Sequence, residues 1–522
     1  MRYLFVHRNA PAQYKHIIRI LAADPNNEVV VISQDNGRPI EGARRVYYTP
    51  KPADGAPHYH LRTTDEAMRF GQAVMEEARA LKASGFTPDL MAGHNAWGET
   101  LFLKDVWPNA PLLSYFEFFY EPRGADTGFD PEFGASFDDF PRTRMMNTVN
   151  LLGLQAADWG HSPTFWQRDR YPILHRPQIS VIHEGIDTDV IGPNPRRKLQ
   201  LPDGSAVGFG DEVITFVSRS LEPYRGFHIF MRTLPEILRR RPKARVLIVG
   251  NDDVSYGSRL AGGVTFREAL LKEQQGRIDL SRVHFLGWVP YDVHLAILQV
   301  SAVHVYLTYP FVLSWSMMEA MASGCVVVGS ATPPVMEVIR DGDNGLLVDF
   351  FSSRQIADRI DQVLDDPTHM AAMRDKARQT IIERYDLKRV CLPRFLKLFD
   401  DLLHRRRPPA DATPGGGHII TYSHTLSLAT QAERDGNPAE VAHLCHRILS
   451  QQPASTEAWM LLGRQRLAVG KGDAALAALR QGVSLLPDHP ATMTEMATAL
   501  ERLGQADDAA IIRQRIARII PA

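Results

Sequence analysis

From the amino terminus to His404, short apolar runs alternate with amphipathic stretches, the pattern of parallel strands buried on both faces and joined by helices. Tyr3–His7 predicts a first buried strand and Glu28–Ser33, with its VVVIS run, a second. An amphipathic helix starting near Tyr14 lies between them, so the chain opens strand–helix–strand as a doubly wound sheet does. A helix over Thr64–Ala83 leads to a strand ending at His94, and Pro111–Glu117 predicts a strand that stops on a carboxylate. Arg142–Ala157 reads as one helix, Ala157–Thr164 as a strand with a turn, and Ile179–Asp187 as the close of this half. Asn194–Asp211, rich in turn formers and charge, is the natural linker. Strand periodicity restarts at Val213–Ser218 and recurs at Arg245–Gly250, Val283–Gly287, Val300–Leu307 and Leu346–Val348, with a helix over Phe227–Arg240. The expected α/β domains are 1–195 and 196–375, with a helical tail at 376–404 packing back on the first.

Arg405–Gly417 (RRRPPADATPGGG) is a linker by composition, and the chain beyond it is repetitive. Gly436, Gly470 and Gly504 are spaced by 34 residues, as are Pro453, Pro487 and Pro521. The same period superposes Ala429 on Gly463 and Ala497, and Val441 on Ala475 and Ala509. A 34-residue period with small residues at helix crossings is the tetratricopeptide pattern, matched best by Trp459, Leu462, Gly463, Gly470, Ala475 and Pro487. Residues 418–522 therefore predict three helical hairpins, an all-α array suited to protein interaction or self-association.

At 522 residues the chain is too long for one core. A hydrophobic fraction of 44% and a charged fraction of 23% are ordinary for a globular protein. The formal net charge of −1 supplies no field for nucleic acid or an anionic bilayer. Cys325, Cys391 and Cys445 lie far apart in apolar contexts, as core residues of a reducing compartment do. MRYLFVHRNA reads as a strand and not a signal peptide, and no apolar run reaches the ~20 residues of a membrane span. The expectation is a cytoplasmic protein, at most peripheral to the inner membrane.

Candidate chemistry centres on Tyr309–Gly329 (YPFVLSWSMMEAMASGCVVVG): a loop, a helix stopped at Gly324, and a buried strand. The helix start at Ser314, Trp315 and Ser316 offers unpaired N–H groups to a phosphate, and Glu319 can accept two hydrogen bonds from a ribose diol. An exposed helix glutamate would fit the same pattern. Arg219 and Arg225 bracket a strand-to-helix turn, a spacing that suits a diphosphate or two surface arginines. No G-x-G-x-x-G follows the first strand, so no dinucleotide is expected there. Asn9, Gln13, His94, Trp97, Glu99 and Glu117 fall where strand ends meet a crevice, and Asn9 and Gln13 are equally plain turn residues. The acidic loop Glu121–Pro141 has no metal-ligand spacing and reads as a lid or acceptor platform.

With these residues in view, the stretch to His404 resembles the retaining family-four glycosyltransferases of GT-B fold, in which two α/β domains face an active site. The resemblance implies that Arg219 and Arg225 hold a donor diphosphate, Glu319 the donor ribose, and the Gly287-Trp288-Val289 turn the nucleobase. Further donor contacts implied are Ser314, Trp315, Ser316, Gly250 and Phe311. Asp341–Gly345 matches the turn before the last strand, Gly93-His94-Asn95 a histidine-bearing strand end, and Ser162 a domain-closing serine. NAPAQYKH, GHNAWGE and GADTGFDPEF resemble a bacterial subset. Three positions depart: Phe311 stands where a glutamate is usual, Arg225 where lysine is usual, and Glu117 where many members have histidine. The implied reaction is metal-independent, cofactor-free transfer of a sugar from a UDP- or GDP-type donor to a glycan or polypeptide hydroxyl, with retained configuration. The competing reading is a catalytically degenerate nucleotide-sugar-binding scaffold. An epimerase or phosphorylase on the same fold is the third, and no pyridoxal-binding lysine context supports it.

Overall fold

The computed structural model describes the chain except residues 38, 123–124, 412–421, 452–454, 487–488 and 520–522. Pro453, Pro487, Pro521 and the later part of the expected linker lie outside the described residues. The chain forms two compact units, Met1–Gly185 with Tyr385–Pro414, and Ile186–Arg384 with Gly415–Ala522.

The first unit is built on seven strands: β1 (Arg2–Val6), β2 (Glu28–Ser33), β3 (Arg44–Tyr47), β4 (Leu90–His94), β5 (Leu112–Tyr115), β6 (Trp159–Ser162) and β7 (Ile179–Val181). They are parallel in the order β3-β2-β1-β4-β5-β6-β7. Side chains alternate across the pleat, so Tyr3 and Phe5 feed one core while Leu4 and Val6 feed another. That two-sided burial is why β1 reads as an unbroken apolar run. The face of Tyr3 and Phe5 is covered by the helix Lys15–Ala23 and by the returning helix Leu392–Leu403, which brings Phe395, Leu398 and Phe399. The ring of Phe399 lies 6.1 Å from that of Phe5. The segment belonging to this unit starts at Tyr385, because the helix before it, Pro367–Tyr385, is tied into the second unit. There Arg378 donates to the carbonyls of Thr188, Ile191 and Ala322.

The second unit holds a small antiparallel hairpin, β8 (Lys198–Gln200) and β9 (Ala206–Gly208), within the stretch expected as linker. Its main sheet comprises β10 (Val213–Ser220), β11 (Arg245–Asn251), β12 (Val283–Gly287), β13 (Val303–Tyr306), β14 (Val326–Ser330) and β15 (Leu346–Val348). These are parallel in the order β12-β11-β10-β13-β14-β15. In both sheets the winding reverses direction beside the first strand, between β1 and β4 and between β10 and β13. At such a reversal the loops leave the carboxyl edge on opposite sides and open a crevice, the usual ligand position in these folds.

Six helices complete the second unit: Tyr422–Arg434, Pro438–Gln451, Thr456–Ala468, Gly472–Leu485, Pro490–Arg502 and Ala506–Ile519. Each hairpin repeats the previous one at a shift of 34 residues. Gly436, Gly470 and Gly504, at φ 66°, 74° and 75°, stop the first helix of each hairpin in the left-handed conformation glycine adopts freely. Gly463 lets two helices meet, since a Cβ there would lie 2.6 Å from Leu479. This array is seated on the main sheet's domain by Arg480. Its guanidinium stands 3.1 Å from the buried Asp349 carboxylate and 5.0 Å over the Phe351 ring, while Gln355 donates to Asp473. Cys325, Cys391 and Cys445 are buried free thiols, each pushed up to about 12 by burial. Among the described residues, no helix is long and apolar enough to cross a membrane.

Candidate active site

In the second unit the reversal between β10 and β13 is organised by Arg225. The turn after β10 ends at Gly226, with φ 68° and a hypothetical Cβ only 2.3 Å from Leu307, so only glycine fits. Arg225 Nη1 donates to Tyr306 Oη at 3.2 Å, Thr308 Oγ1 at 2.7 Å and the Val312 carbonyl at 2.9 Å. The same phenol oxygen accepts from the Ser314 amide at 2.8 Å. One guanidinium thus fixes the loop that delivers the helix Trp315–Ala322. Ser314 is the N-cap of that helix, with its Oγ accepting from the Ser316 amide at 3.3 Å, and Trp315 is exposed beside it. The first turn therefore presents backbone N–H groups and the positive end of the dipole at the sheet's carboxyl edge.

Arg219 and Arg225 sit in unlike settings. Arg219 is exposed on β10, whereas Arg225 is 7% exposed and surrounded by protein acceptors, with the Tyr256 ring 5.3 Å from its Cζ. Phe311 is buried in an aromatic cluster, 5.5 Å from the Tyr224 ring and 5.1 Å from Tyr256. At this position the loop is held by apolar packing, with no polar group presented. Gly250 lies next to last in β11, where a Cβ would meet Leu221 at 2.8 Å, and half-buried Val289 follows the exposed Trp288. Glu319, 8% exposed, accepts from Tyr291 Oη at 2.7 Å and from His294 Nε2 at 2.8 Å. Both partners lie on the helix Tyr291–Val300, and burial together with the Glu319 charge raises the Tyr291 phenol pKa, keeping it a donor.

In the first unit three histidines at strand ends share one device. His7, His94 and His183 each accept through Nδ1 from the amide two residues on, at 2.9, 3.2 and 3.0 Å. Each ring therefore carries its neutral-state proton on Nε2. His7 and His94 flank the reversal between β1 and β4, with ring centroids 5.1 Å apart, and Trp97 stacks on His94 at 4.1 Å. His94 Nε2 is 3.5 Å from Glu117, a half-buried carboxylate. His161 is buried behind them against Tyr14, Tyr115 and Phe395, and burial plus the His94 charge pushes it down to about 3. Ser162, next to it, donates through Oγ to the Phe116 carbonyl at 2.7 Å. Glu99 is fully buried, accepting from Tyr48 at 2.9 Å with Arg8 at 3.8 Å. Its surroundings are a closed internal network and not an open strand edge. Asn9 is exposed and Gln13 half-buried on the turn after β1.

Residues 25–191 match the family model described as glycosyl transferase family 4 group, and residues 205–380 match glycosyl transferases group 1. Both α/β domains are glycosyltransferase domains. A D-inositol 3-phosphate glycosyltransferase of Corynebacterium aurimucosum is 29% identical over 209 residues, covering 38% of this chain and 46% of that protein. A GDP-mannose-dependent alpha-(1-6)-phosphatidylinositol monomannoside mannosyltransferase of Mycolicibacterium smegmatis is 25% identical over 229 residues, 42% of this chain and 56% of its own. The chain spans about half the length of the curated relatives it matches. Among solved structures, HepE of Anabaena in complex with UDP and glucose aligns at TM-score 0.53 and 16% identity, over 77% of this chain and all of that one. Sucrose-phosphate synthase of Thermosynechococcus elongatus aligns at 0.58 and 18%, over 78% of this chain and all of that one. The two glycosyltransferase domains thus have the Rossmann-like GT-B fold.

Sequence reasoning missed side chains that orient this candidate site. Tyr291 and His294 carry no motif, and only their place on the helix after the GWVP turn points to them. Glu222 accepts from the amides of Ser255, Tyr256 and Gly257 at 3.0, 3.2 and 2.9 Å, which clamps the loop after β11. Its signal was adjacency to the Arg219–Arg225 turn.

Proposed function

We propose that this chain is a retaining, metal-independent glycosyltransferase that moves a sugar from a UDP- or GDP-type donor to a hydroxyl of a glycan or polypeptide. The observation that carries the reading is the capped helix start at Ser314–Ser316, fixed by Arg225 at a topological reversal, with Glu319 one turn in. A leaving diphosphate needs its charge neutralised as the C1–O bond breaks. The helix N-terminus, Arg219 and Arg225 supply that charge without a cation. The departing phosphate can itself take the acceptor's proton on the same face, so no protein nucleophile is required. Within the first unit, His94 and Glu117 are read as reactive polar groups and Asn9, Gln13 and Trp97 as acceptor contacts. The named relatives act with inositol phosphate or GDP-mannose and the HepE structure holds UDP, which supports a nucleotide-sugar donor. The 34-residue array is read as tetratricopeptide-like, docking a polypeptide acceptor or partner. Incubation with a panel of UDP-, GDP- and dTDP-sugars and candidate acceptors, following nucleotide release and the anomeric proton of the product, tests this. Turnover with a retained anomer is expected; tight nucleotide binding without turnover would favour the degenerate scaffold.

A further inference from the structure

Next to Arg219 stands the loop after β11, and its backbone is held from inside the domain. Glu222, fully buried, accepts from the amides of Ser255, Tyr256 and Gly257. The Ser255 hydroxyl pairs with that of Ser220, the neighbour of Arg219 on β10, at 2.7 Å. The loop so fixed carries Tyr256, 38% exposed, which lies over Arg225 and meets Phe311 edge-on at 5.1 Å. Half-buried Tyr224 completes the group, 6.0 Å from Tyr256 and 5.5 Å from Phe311.

The charged groups beneath these rings are matched within the protein: Glu222 by three amides, and Arg225 Nη1 by Tyr306, Thr308 and the Val312 carbonyl. The surface left to a ligand is aromatic carbon, edged by the Tyr256 hydroxyl. The covalent order of a nucleotide sugar sets what would lie there. With the diphosphate at the Ser314–Ser316 helix start and the nucleoside directed along the helix to Glu319, the sugar on the other phosphate runs back over the preceding loop. That loop contains Phe311, and Tyr256 packs against it.

Resting on the nucleotide-sugar reading, we propose that Tyr256, Tyr224 and Phe311 form a wall against the donor sugar and select a sugar that turns a methyl group to it, carried on an acetamido group or on a 6-deoxy carbon. A methyl group gains contact with the rings. A hydroxyl in its place loses water and finds no carboxylate, because Phe311 stands where a glutamate is usual. Both effects act in the same direction and together are worth a factor of roughly 10 or more in affinity. Tyr256→Phe keeps the ring and removes its hydroxyl, and Tyr256→Asn removes the ring.

Calorimetric titration of the full chain tests this with UDP, GDP and two donor pairs: UDP-glucose against UDP-N-acetylglucosamine, and GDP-mannose against GDP-rhamnose, its 6-deoxy form. Thermal unfolding is run on each variant. In one pair the methyl-bearing donor should bind roughly 10-fold more tightly than its partner, and the pair that shows this identifies the source of the methyl group. Tyr256→Phe should keep the preference. Tyr256→Asn should bring the ratio near one while UDP or GDP, which carries no sugar, binds as before. Equal binding within each pair, tighter binding of the hydroxyl-bearing donors, or binding of UDP or GDP with no donor bound overturns the proposal. So does loss of the preference in Tyr256→Phe, which would make the hydroxyl and not the ring the reader, or an unchanged ratio in folded Tyr256→Asn. Failure of UDP, GDP and all four donors to bind overturns the nucleotide-sugar reading itself, a result distinct from binding without discrimination.

Discussion

Arg219 and Arg225 look equivalent in the sequence and do different work in the structure. Arg225 has three protein acceptors on one nitrogen and little exposure, so removing it unties the Tyr309–Ser314 loop as well as removing a charge. Arg219 is exposed, and its replacement costs charge alone. Arg219→Ala should therefore lower kcat/KM about 100-fold, ~3 kcal/mol, with Tm unchanged. Arg225→Ala should lower both, and side-by-side kinetics and calorimetry separate the two cases; equal Tm losses would contradict this division. His161 and His304 give a second test at this scale. Each is pushed down to about 3 by burial, from an ordinary value of 6.5. Between those values the unfolded chain binds protons that the folded chain refuses, so stability is full above pH 6.5 and falls as pH drops. The slope approaches ~1.4 kcal/mol per pH unit for each histidine. His161→Leu should flatten the fall in Tm between pH 6.5 and 4.5; an unchanged slope would show that His161 is not the neutral buried group described.

Strand–helix alternation was legible because each strand is buried on two faces, and a two-faced strand shows as a bare apolar run. Helix boundaries were less so. Arg142–Ala157 reads as one helix but folds as Asp139–Met146 and Thr148–Ala156, broken at Asn147, whose side chain is exchanged with the Tyr120 backbone. The strand expected at Val300–Leu307 is Val303–Tyr306, because Val300 ends the preceding helix. Glu222 and the Tyr291–His294–Glu319 triad were illegible for a different reason: they depend on partners tens of residues away, which local periodicity does not encode. At this scale the turn after β10 yields a sharp prediction. Gly226→Ala must accommodate a Cβ 2.3 Å from Leu307 at φ 68°, costing about 2–4 kcal/mol. Its Tm should drop by several degrees, and a wild-type Tm would mean the turn is looser than this geometry implies.

For the molecule as a whole, the repeat period announced three hairpins, and the structure spaces them at 34 residues. Where the array is seated was not announced, because Arg480 reads as any surface arginine of a helix. Its pairing with Asp349, 2% exposed, and its place over Phe351 tie the array to the domain that carries Glu319. Phe350 next to it packs edge-on against Tyr309 at 5.3 Å, at the head of the helix-delivering loop. Arg480→Met should strand a buried carboxylate, at a cost of about 3 kcal/mol, and expose the junction to proteolysis. Adding Asp349→Asn should recover part of that loss, and limited proteolysis with calorimetry reads both; additive losses would contradict a pairing.

Donor recognition as proposed rests on a diphosphate held at the mouth of the helix Trp315–Ala322, with a ribose on Glu319. A crystal structure of the protein soaked with UDP and with GDP tests it most directly. The predicted result is phosphate oxygens against the first turn of that helix and near Arg219, with the ribose hydroxyls on the Glu319 carboxylate. A nucleotide bound elsewhere, with that helix start left to solvent, would contradict it.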